Sequence, residues 1–441
     1  VIGIGVDAHR YLGPGGGDLA AELDADFPVV SQRVGFAVPR WEGGEIAYLA
    51  GNSLGLMPTT VRDAVDDVLG NWAERAVEGH LEGDYPWLPY HETMRETAAC
   101  LVGACPGEAV VMNSLTVNLH LMMVSFYRPT PQRHRIVIEA GAFPSDDYAV
   151  ASQAAYHGYD PATAVVRLGP RPGERCLRTE DVATFLAEEG DSVALVLLAG
   201  VNFRTGQLFD MPAITAAAHA AGCVVGWDLA HAAGNVPLRL HDWGVDFAVW
   251  CSYKYLNSGP GSAAGCFVHE RHGADDSLPR FAGWWGNDPS TRFRMHEAFS
   301  PRRGAEGWQL SNPPILAMAP VRASLDVFDA VGMEQLRERS MALTGFLERL
   351  VDAVAEQRRI AVVTPRDPGQ RGAQLSFEVD DADAVASALR AGYGVVADTR
   401  PPNIVRLAPT PLYNTFDDCR RAAAALAAVL PARPARPARQ G

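Results

Sequence analysis

Lys254 is the one lysine among the 38 lysine and arginine residues of this chain. Surface cations exchange freely, but a reaction in which an amine must lose its proton and attack a carbonyl cannot use a guanidinium, which stays protonated above pH ~12. A drift towards arginine explains the rest of the basic residues; the position that resisted reads as an imine former, against the plain alternative of chance survival. Asp228 closes the apolar run CVVGWD, 26 residues before Lys254, and His231 follows in WDLAH. A carboxylate that stays ionised at a strand end can keep a heteroaromatic ring nitrogen protonated, whereas the structural alternative is an N-cap for the AHAAG segment. If Lys254 closes the next strand, DFAVWCSYK, one crossover brings carboxylate and amine to the same sheet edge.

Amine and carboxylate in that order are what a pyridoxal ring needs, since the protonated ring absorbs the electrons of a substrate carbanion. Its phosphate could sit on NSLTVNLHLMM (113–123), read as a loop leading into a helix. Thr116 offers a hydroxyl there, and Leu115, Thr116 and Val117 offer amides at a positive helix end; Thr116 as a simple N-cap is compatible with both. Phe143, after the strand RIVIEA, could stack on a ring or be ordinary core. Tyr253 could bind phosphate or relay a proton, or serve structure alone. GPGGGD (13–18) has neither a preceding strand nor a following GK[ST], so it is no phosphate loop.

The elements that position these residues are short β-rich runs alternating with Ala-rich helical segments: RIVIEA, VALVLLAGV, CVVGWD, DFAVWCSYK and GCFVH. That alternation predicts an α/β fold with a doubly wound, mainly parallel sheet, in which ligands bind beyond the carboxyl ends of the strands. A helical region follows from about Pro320 to Gln357, then the turn-rich TPRDPGQRG and a small α+β segment. The expected organisation is an N-terminal arm over 1–44, a large cofactor-binding domain over 45–319 and a small C-terminal domain over 320–430. A disordered Pro/Ala/Arg tail is expected over 431–441.

A chain of 441 residues with a formal charge of −14 repels phosphate backbones and carries no basic run interleaved with aromatics, which argues against nucleic acid. Its apolar runs are too short to cross a bilayer, and VIGIGVDAHR lacks the layout of a signal peptide, so a cytoplasmic protein with no membrane partner is expected. The seven cysteines show no CxxC pair and no zinc-like spacing, so no metal is expected and most are read as reduced and buried.

Beyond these readings, WDLAHAAGNVPLRLHDWGVDFAVWCSYKYLNSGPG (227–261) closely resembles the cofactor-lysine region of kynureninases. So do YLAGNSLGLMP (48–58), MNSLTVNLHLMM, FPSDDYA (143–149), GWWG (283–286), LSNPPI (310–315) and VRLAPTPLYN (405–414). The resemblance runs in order from about residue 45 to 420. It implies the aspartate-aminotransferase-like fold (fold type I), a homodimer with interface active sites, and pyridoxal 5'-phosphate as cofactor. The implied reaction, in tryptophan catabolism, is hydrolysis of kynurenine or 3-hydroxykynurenine to alanine and an anthranilate.

By the same resemblance, Lys254 carries the cofactor as a Schiff base, Asp228 pairs with the pyridine nitrogen and Phe143 stacks on the ring. Leu115, Thr116, Asp146, His231, Tyr253, Trp284 and Asn312 match further cofactor contacts, and Arg406 matches the arginine that grips the substrate α-carboxylate. Lys254, Asp228 and Tyr253 are the expected catalytic residues, Tyr253 moving protons around hydration of the γ-carbonyl. Ser53, His80 and Asn312 match residues around the aniline ring, and their polarity favours 3-hydroxykynurenine. Two departures stand out: Ala199 replaces a hydroxyl residue, and Trp285 replaces a phenylalanine beside the aniline pocket. Trp285 leaves a ring-methylated 3-hydroxykynurenine open as substrate, with a neutral packing swap as the alternative. A class V aminotransferase or cysteine desulfurase is the rival within the fold. Cys419 in an expected helix and Cys251 in an expected strand do not suit the desulfurase's mobile nucleophile.

Overall fold

The computed structural model describes residues 7–26, 32–295 and 298–433. Two compact units divide the chain: a large one from 57–203 and 208–333, and a smaller one from 1–56, 204–207 and 334–441.

The large unit is built on seven strands: β1 (Ala109–Val111), β2 (Arg135–Glu139), β3 (Val165–Leu168), β4 (Val193–Ala199), β5 (Val224–Asp228), β6 (Phe247–Trp250) and β7 (Gly265–Val268). Their order across the sheet is β1-β7-β6-β5-β4-β2-β3. The pairs among β6, β5, β4, β2 and β3 are parallel, and β7 runs antiparallel to both β6 and β1. GCFVH is therefore a strand, but one that reverses direction. In the middle of the sheet β4, VALVLLA, is buried almost along its length, as a strand covered on both faces must be. Gly226 permits the close pairing of β5 with β6, since a Cβ there would meet the Phe247 ring at 2.1 Å.

Two helices matter for the site. Helix α1 (Leu115–Phe126) begins after Asn113, whose positive φ of 50° turns the chain. The Asn113 amide donates to Asn118 Oδ1 (2.9 Å), and the Asn118 amide donates to the Met112 carbonyl (2.9 Å), locking that turn. Helix α2 (Pro144–Tyr156) starts with proline at its first position and Asp146 and Asp147 in its first turn, both favoured at a helix N-terminus.

The smaller unit carries an antiparallel sheet of β8 (Ala361–Val362), β9 (Leu375–Glu378), β10 (Asp398–Arg400) and β11 (Ile404–Leu407), ordered β8-β9-β11-β10. The segment read as an arm contributes helices Ala8–Leu12 and Gly16–Ala25. Ala20 is buried in one core with Phe346, Phe416 and Leu426, and Tyr11 packs edge-on against Phe346. These apolar residues are too sparse to show a period, so burial rather than sequence pattern identifies them. The stretch from Pro320 to Gln357 begins earlier and breaks once: helices Ile315–Val331 and Met333–Gln357 meet at Gly332, with the unit boundary beside it instead of at 320. Of the tail expected to be disordered, 434–441 lies outside the described residues. No helix among the described residues is long and apolar enough to cross a membrane.

Candidate functional site

Strands β2, β4, β5 and β6 run parallel and end together, so their last residues share one edge of the sheet. Glu139 ends β2, Ala199 ends β4 and Asp228 ends β5, with Ala199 in register with Asp228. Lys254 does not close a strand: β6 stops at Trp250, and the lysine lies in the following turn. That turn is held by Asn257 N–H donating to the Lys254 carbonyl (2.9 Å) and Ser258 N–H donating to the Ser252 carbonyl (3.0 Å). Alternation of apolar residues cannot tell a strand end from a tight turn that follows it.

A cavity at this edge is lined by Leu115, Thr116, Phe143, Asp146, Asp228, His231, Tyr253 and Lys254. Lys254 Nζ lies 3.0 Å from His231 Nε2 and 5.7 Å from the centre of the Phe143 ring. Phe143 is half-exposed, so it is no ordinary core phenylalanine. Burial pushes the Tyr253 hydroxyl up, with Cys251 beside it adding to the effect, so it enters any reaction as the neutral phenol.

Opposite the amine, three carboxyls are buried together. Asp228 Oδ1 accepts the Ala230 N–H (2.6 Å), so the capping role and the site role coexist. Burial raises both Asp228 and Asp146, and Asp146 furthest because the Asp228 charge adds to it; a hydrogen bond joins the two. Glu139, which sequence reasoning missed, is pushed up to about 7 by burial and accepts the Ala199 N–H at 3.3 Å. Its one sequence signal was an acid at the end of an otherwise apolar strand.

The N-termini of α1 and α2 also meet here. Thr116 Oγ1 and Ser145 Oγ are 2.7 Å apart, each in the first turn of its helix. The N-cap of α1 is Ser114, so Thr116 is free of that duty. Two positive helix ends with hydroxyls between them suit an anion. Ser145 and Phe203, which packs edge-on against Phe143, were also missed; both line the cavity.

Other expected residues lie elsewhere. Trp284 is half-exposed and donates its indole N–H to the Arg292 carbonyl (3.1 Å), Asn312 is exposed, and neither lines this cavity. His80 packs edge-on against Trp87. Trp285 is buried, with the Arg292 guanidinium 4.3 Å from the centre of its ring, so the protein itself fills the space around it. Ser53 and Arg406 belong to the smaller unit, where Arg406 Nη2 donates to Ser53 Oγ (3.0 Å) and to Asp398.

The cavity fits pyridoxal phosphate on its own chemistry: an amine, an aromatic face, an anion cradle, and a buried acid pair in which Asp146 Oδ1 has no hydrogen-bond partner among the described residues. Away from it, Cys105, Glu108 and His241 converge. Glu108 there already accepts the N–H groups of Cys105 and Glu270, each at 2.7 Å, as an ion-pair knot. All seven cysteines are free, and Cys419 is fully buried in the helix Phe416–Val429.

The kynureninase C-terminal domain family matches residues 336–426. The kynureninase of Salinispora tropica is 64% identical over 397 residues, covering 89% of this chain and 92% of that protein. Among solved structures, an apo cysteine desulfurase from Thermococcus onnurineus NA1 is similar with TM-score 0.71 at 16% identity, over 87% of this chain and 94% of that one. A variant of the lyase C-DES with glycine covalently linked to its PLP cofactor is similar with TM-score 0.71 at 17% identity, over 87% of this chain and 96% of that one. Likenesses at such identity establish the fold alone, the type I fold of class V aminotransferases.

Proposed function

The chain belongs to the kynureninase family, whose cofactor is pyridoxal phosphate, and we propose that the cofactor is carried by Lys254 in the cavity of the large unit. The observation that supports this best is the placement of Lys254 Nζ against His231, with Phe143 beside it and the Asp228 and Asp146 acids in the same cavity. When bound, pyridoxal phosphate supplies the aldehyde and the electron sink that make cleavage of a substrate Cβ–Cγ bond possible.

The residues divide the remaining work. Thr116 Oγ1, Ser145 Oγ and the first amides of α1 hold the phosphate. Asp228 would keep the ring nitrogen protonated, with Asp146 hydrogen-bonded to it. Phe143 and Leu115, which line the cavity, would contact the ring. Lys254 would move the proton at Cα, with His231 Nε2 hydrogen-bonded to its Nζ at 3.0 Å. Tyr253, as the neutral phenol, passes a proton during addition of water to the γ-carbonyl. Arg406 receives the α-carboxylate, for which a guanidinium is the matching partner.

The substrate is of kynurenine type, and we assign 3-hydroxykynurenine on the polar characters of Ser53, His80 and Asn312. A site that hydrogen-bonds a hydroxyl leaves polar groups unmatched when the hydroxyl is missing. Comparing kcat/KM for kynurenine, 3-hydroxykynurenine and a ring-methylated analogue tests this. A preference for the 3-hydroxy compound by about tenfold or more agrees with the assignment, and a preference for plain kynurenine defeats it. We also assign a homodimer, supported by the apolar face of the large unit, where Trp72 (59% exposed), Leu69 and Leu316 face outward. Trp284 and Asn312, exposed away from the cavity, are assigned to the cofactor site completed by the partner. Trp72→Glu then lowers the mass measured by light scattering from dimer to monomer; a monomeric parent contradicts the assignment.

A further inference from the structure

In the smaller unit, Arg406 on β11 stands directly across the ladder from Asp398 on β10. Arg406 is fully buried. Its Nη2 donates to Ser53 Oγ at 3.0 Å and to Asp398 Oδ2, so both hydrogens of that nitrogen are committed. Ser53 Oγ in turn donates to the same oxygen of Asp398. The other oxygen of Asp398 accepts from Arg400 Nη1 at 2.5 Å. Ser53 and Asp398 also line a shallow open depression together with Ala50, Asp383 and Thr399, and Arg406 is not among its lining residues. A molecule in that depression meets Asp398 and Ser53, with the guanidinium behind them.

A carboxylate gripped by arginine takes two parallel N–H bonds. An incoming carboxylate cannot take one from Nη2 unless Ser53 or Asp398 gives it up. Asp398 presents the same acceptor group that an amino acid's α-carboxylate presents, and it has a second cation to keep. If it yields Arg406, its charge remains paired with Arg400, so no buried carboxylate is stranded. Arg406 in turn never stands buried without a counter-charge, whether the site is empty or filled.

We propose that Asp398 occupies the α-carboxylate seat on Arg406 in the free enzyme, and that an amino-acid substrate binds by exchange, its carboxylate replacing Asp398 while Asp398 retains Arg400. This rests on the reading of Arg406 as the α-carboxylate receptor. Asp398 then acts as a built-in competitor that sets substrate affinity. Within the hydrogen-bonded trio, Arg400 and Arg406 carry two positive charges against the one negative charge of Asp398, while Asp383 in the same depression accepts from Thr399 Oγ1 at 2.7 Å.

The holoenzyme with L-alanine as a non-cleavable probe tests the exchange. In Asp398→Asn the competitor is neutral, so the inhibition constant for alanine and the KM both fall, by about fivefold or more, while kcat does not rise. Arg400→Gln removes the partner that receives Asp398, so alanine binds more weakly than to the parent. Alanine affinity unchanged or weakened in Asp398→Asn overturns the exchange and leaves Asp398 as a fixed brace for Arg406. If Asp398→Asn fails to fold, Arg400→Gln decides alone: affinity unchanged or tightened overturns the exchange. Arg406→Gln separates the two levels. If it abolishes alanine binding, the receptor reading stands whatever Asp398 does; if it leaves binding intact, that reading fails first.

Discussion

Lys254 Nζ lies 3.0 Å from Nε2 of His231, so the amine and that ring nitrogen share one hydrogen bond. The histidine thereby orients the amine, and an imidazole at that distance is placed to exchange a proton with it.

Replacing His231 by phenylalanine removes that hydrogen-bond partner and keeps an aromatic ring in its place. The purified variant retains the visible absorbance of bound cofactor, and kcat falls about 10- to 100-fold. Stopped-flow and steady-state kinetics check this; full activity in the variant contradicts the role given to His231.

Asp228→Asn keeps the shape of the side chain and removes its charge. Without it the ring nitrogen is no longer held protonated, and kcat falls by about 100-fold or more. The cofactor remains bound through Lys254 and the phosphate cradle, so its dissociation constant moves far less than kcat. An equal loss in both would make Asp228 a structural cap and no more.

Glu139 titrates against stability. Its folded value is about 7 and its ordinary value 4.5, so between these pH values the folded protein holds a proton that the unfolded chain has released. Stability is therefore complete below pH 4.5, declines as pH rises to about 7, and has by then lost about 3 kcal/mol. Glu139→Gln removes the decline: the melting temperatures of variant and parent are close at pH 5, and the variant is higher at pH 8. A parallel pH dependence for the two proteins contradicts the buried, protonated acid.

Asp246 carries the opposite sign. Burial would raise its carboxyl, but hydrogen bonds from His219, His272, Arg271 and the Val225 amide outweigh burial and hold it far below the usual carboxylate range. Its stabilisation is present above the ordinary carboxylate value and is lost as pH falls through the lower, folded one. Asp246→Asn leaves those donors poorly matched and costs about 3–5 kcal/mol at pH 7, seen as a lower denaturation midpoint. A midpoint unchanged in the variant rules out this anchor.

The sheet was legible because β4 and β5 are apolar along their length, and β5 ends on a carboxylate, so Asp228 declared itself. Lys254 was legible by composition alone, since arginine had taken every other cationic position. Its seat in a turn was not, because that turn is fixed by Asn257 and Ser258 through backbone hydrogen bonds that leave no periodic trace. Glu139 and Ser145 escaped notice because each matters only through a neighbour distant in sequence, Ala199 for one and Thr116 for the other. The helix at Gly16–Ala25 escaped for the same reason: Ala20 is core only because the helix Phe416–Val429 lies against it. Trp285 reads as a pocket residue in sequence, yet Arg292 and His91 enclose its ring.

Lys254 carries the chemistry, and product analysis of the holoenzyme tests that role most directly. With 3-hydroxykynurenine as substrate, the parent protein forms alanine and fluorescent 3-hydroxyanthranilate in equal amounts, and Lys254→Ala forms neither and shows no visible absorbance from covalently held cofactor. A keto acid in place of alanine, or product formation that survives in Lys254→Ala, would contradict it.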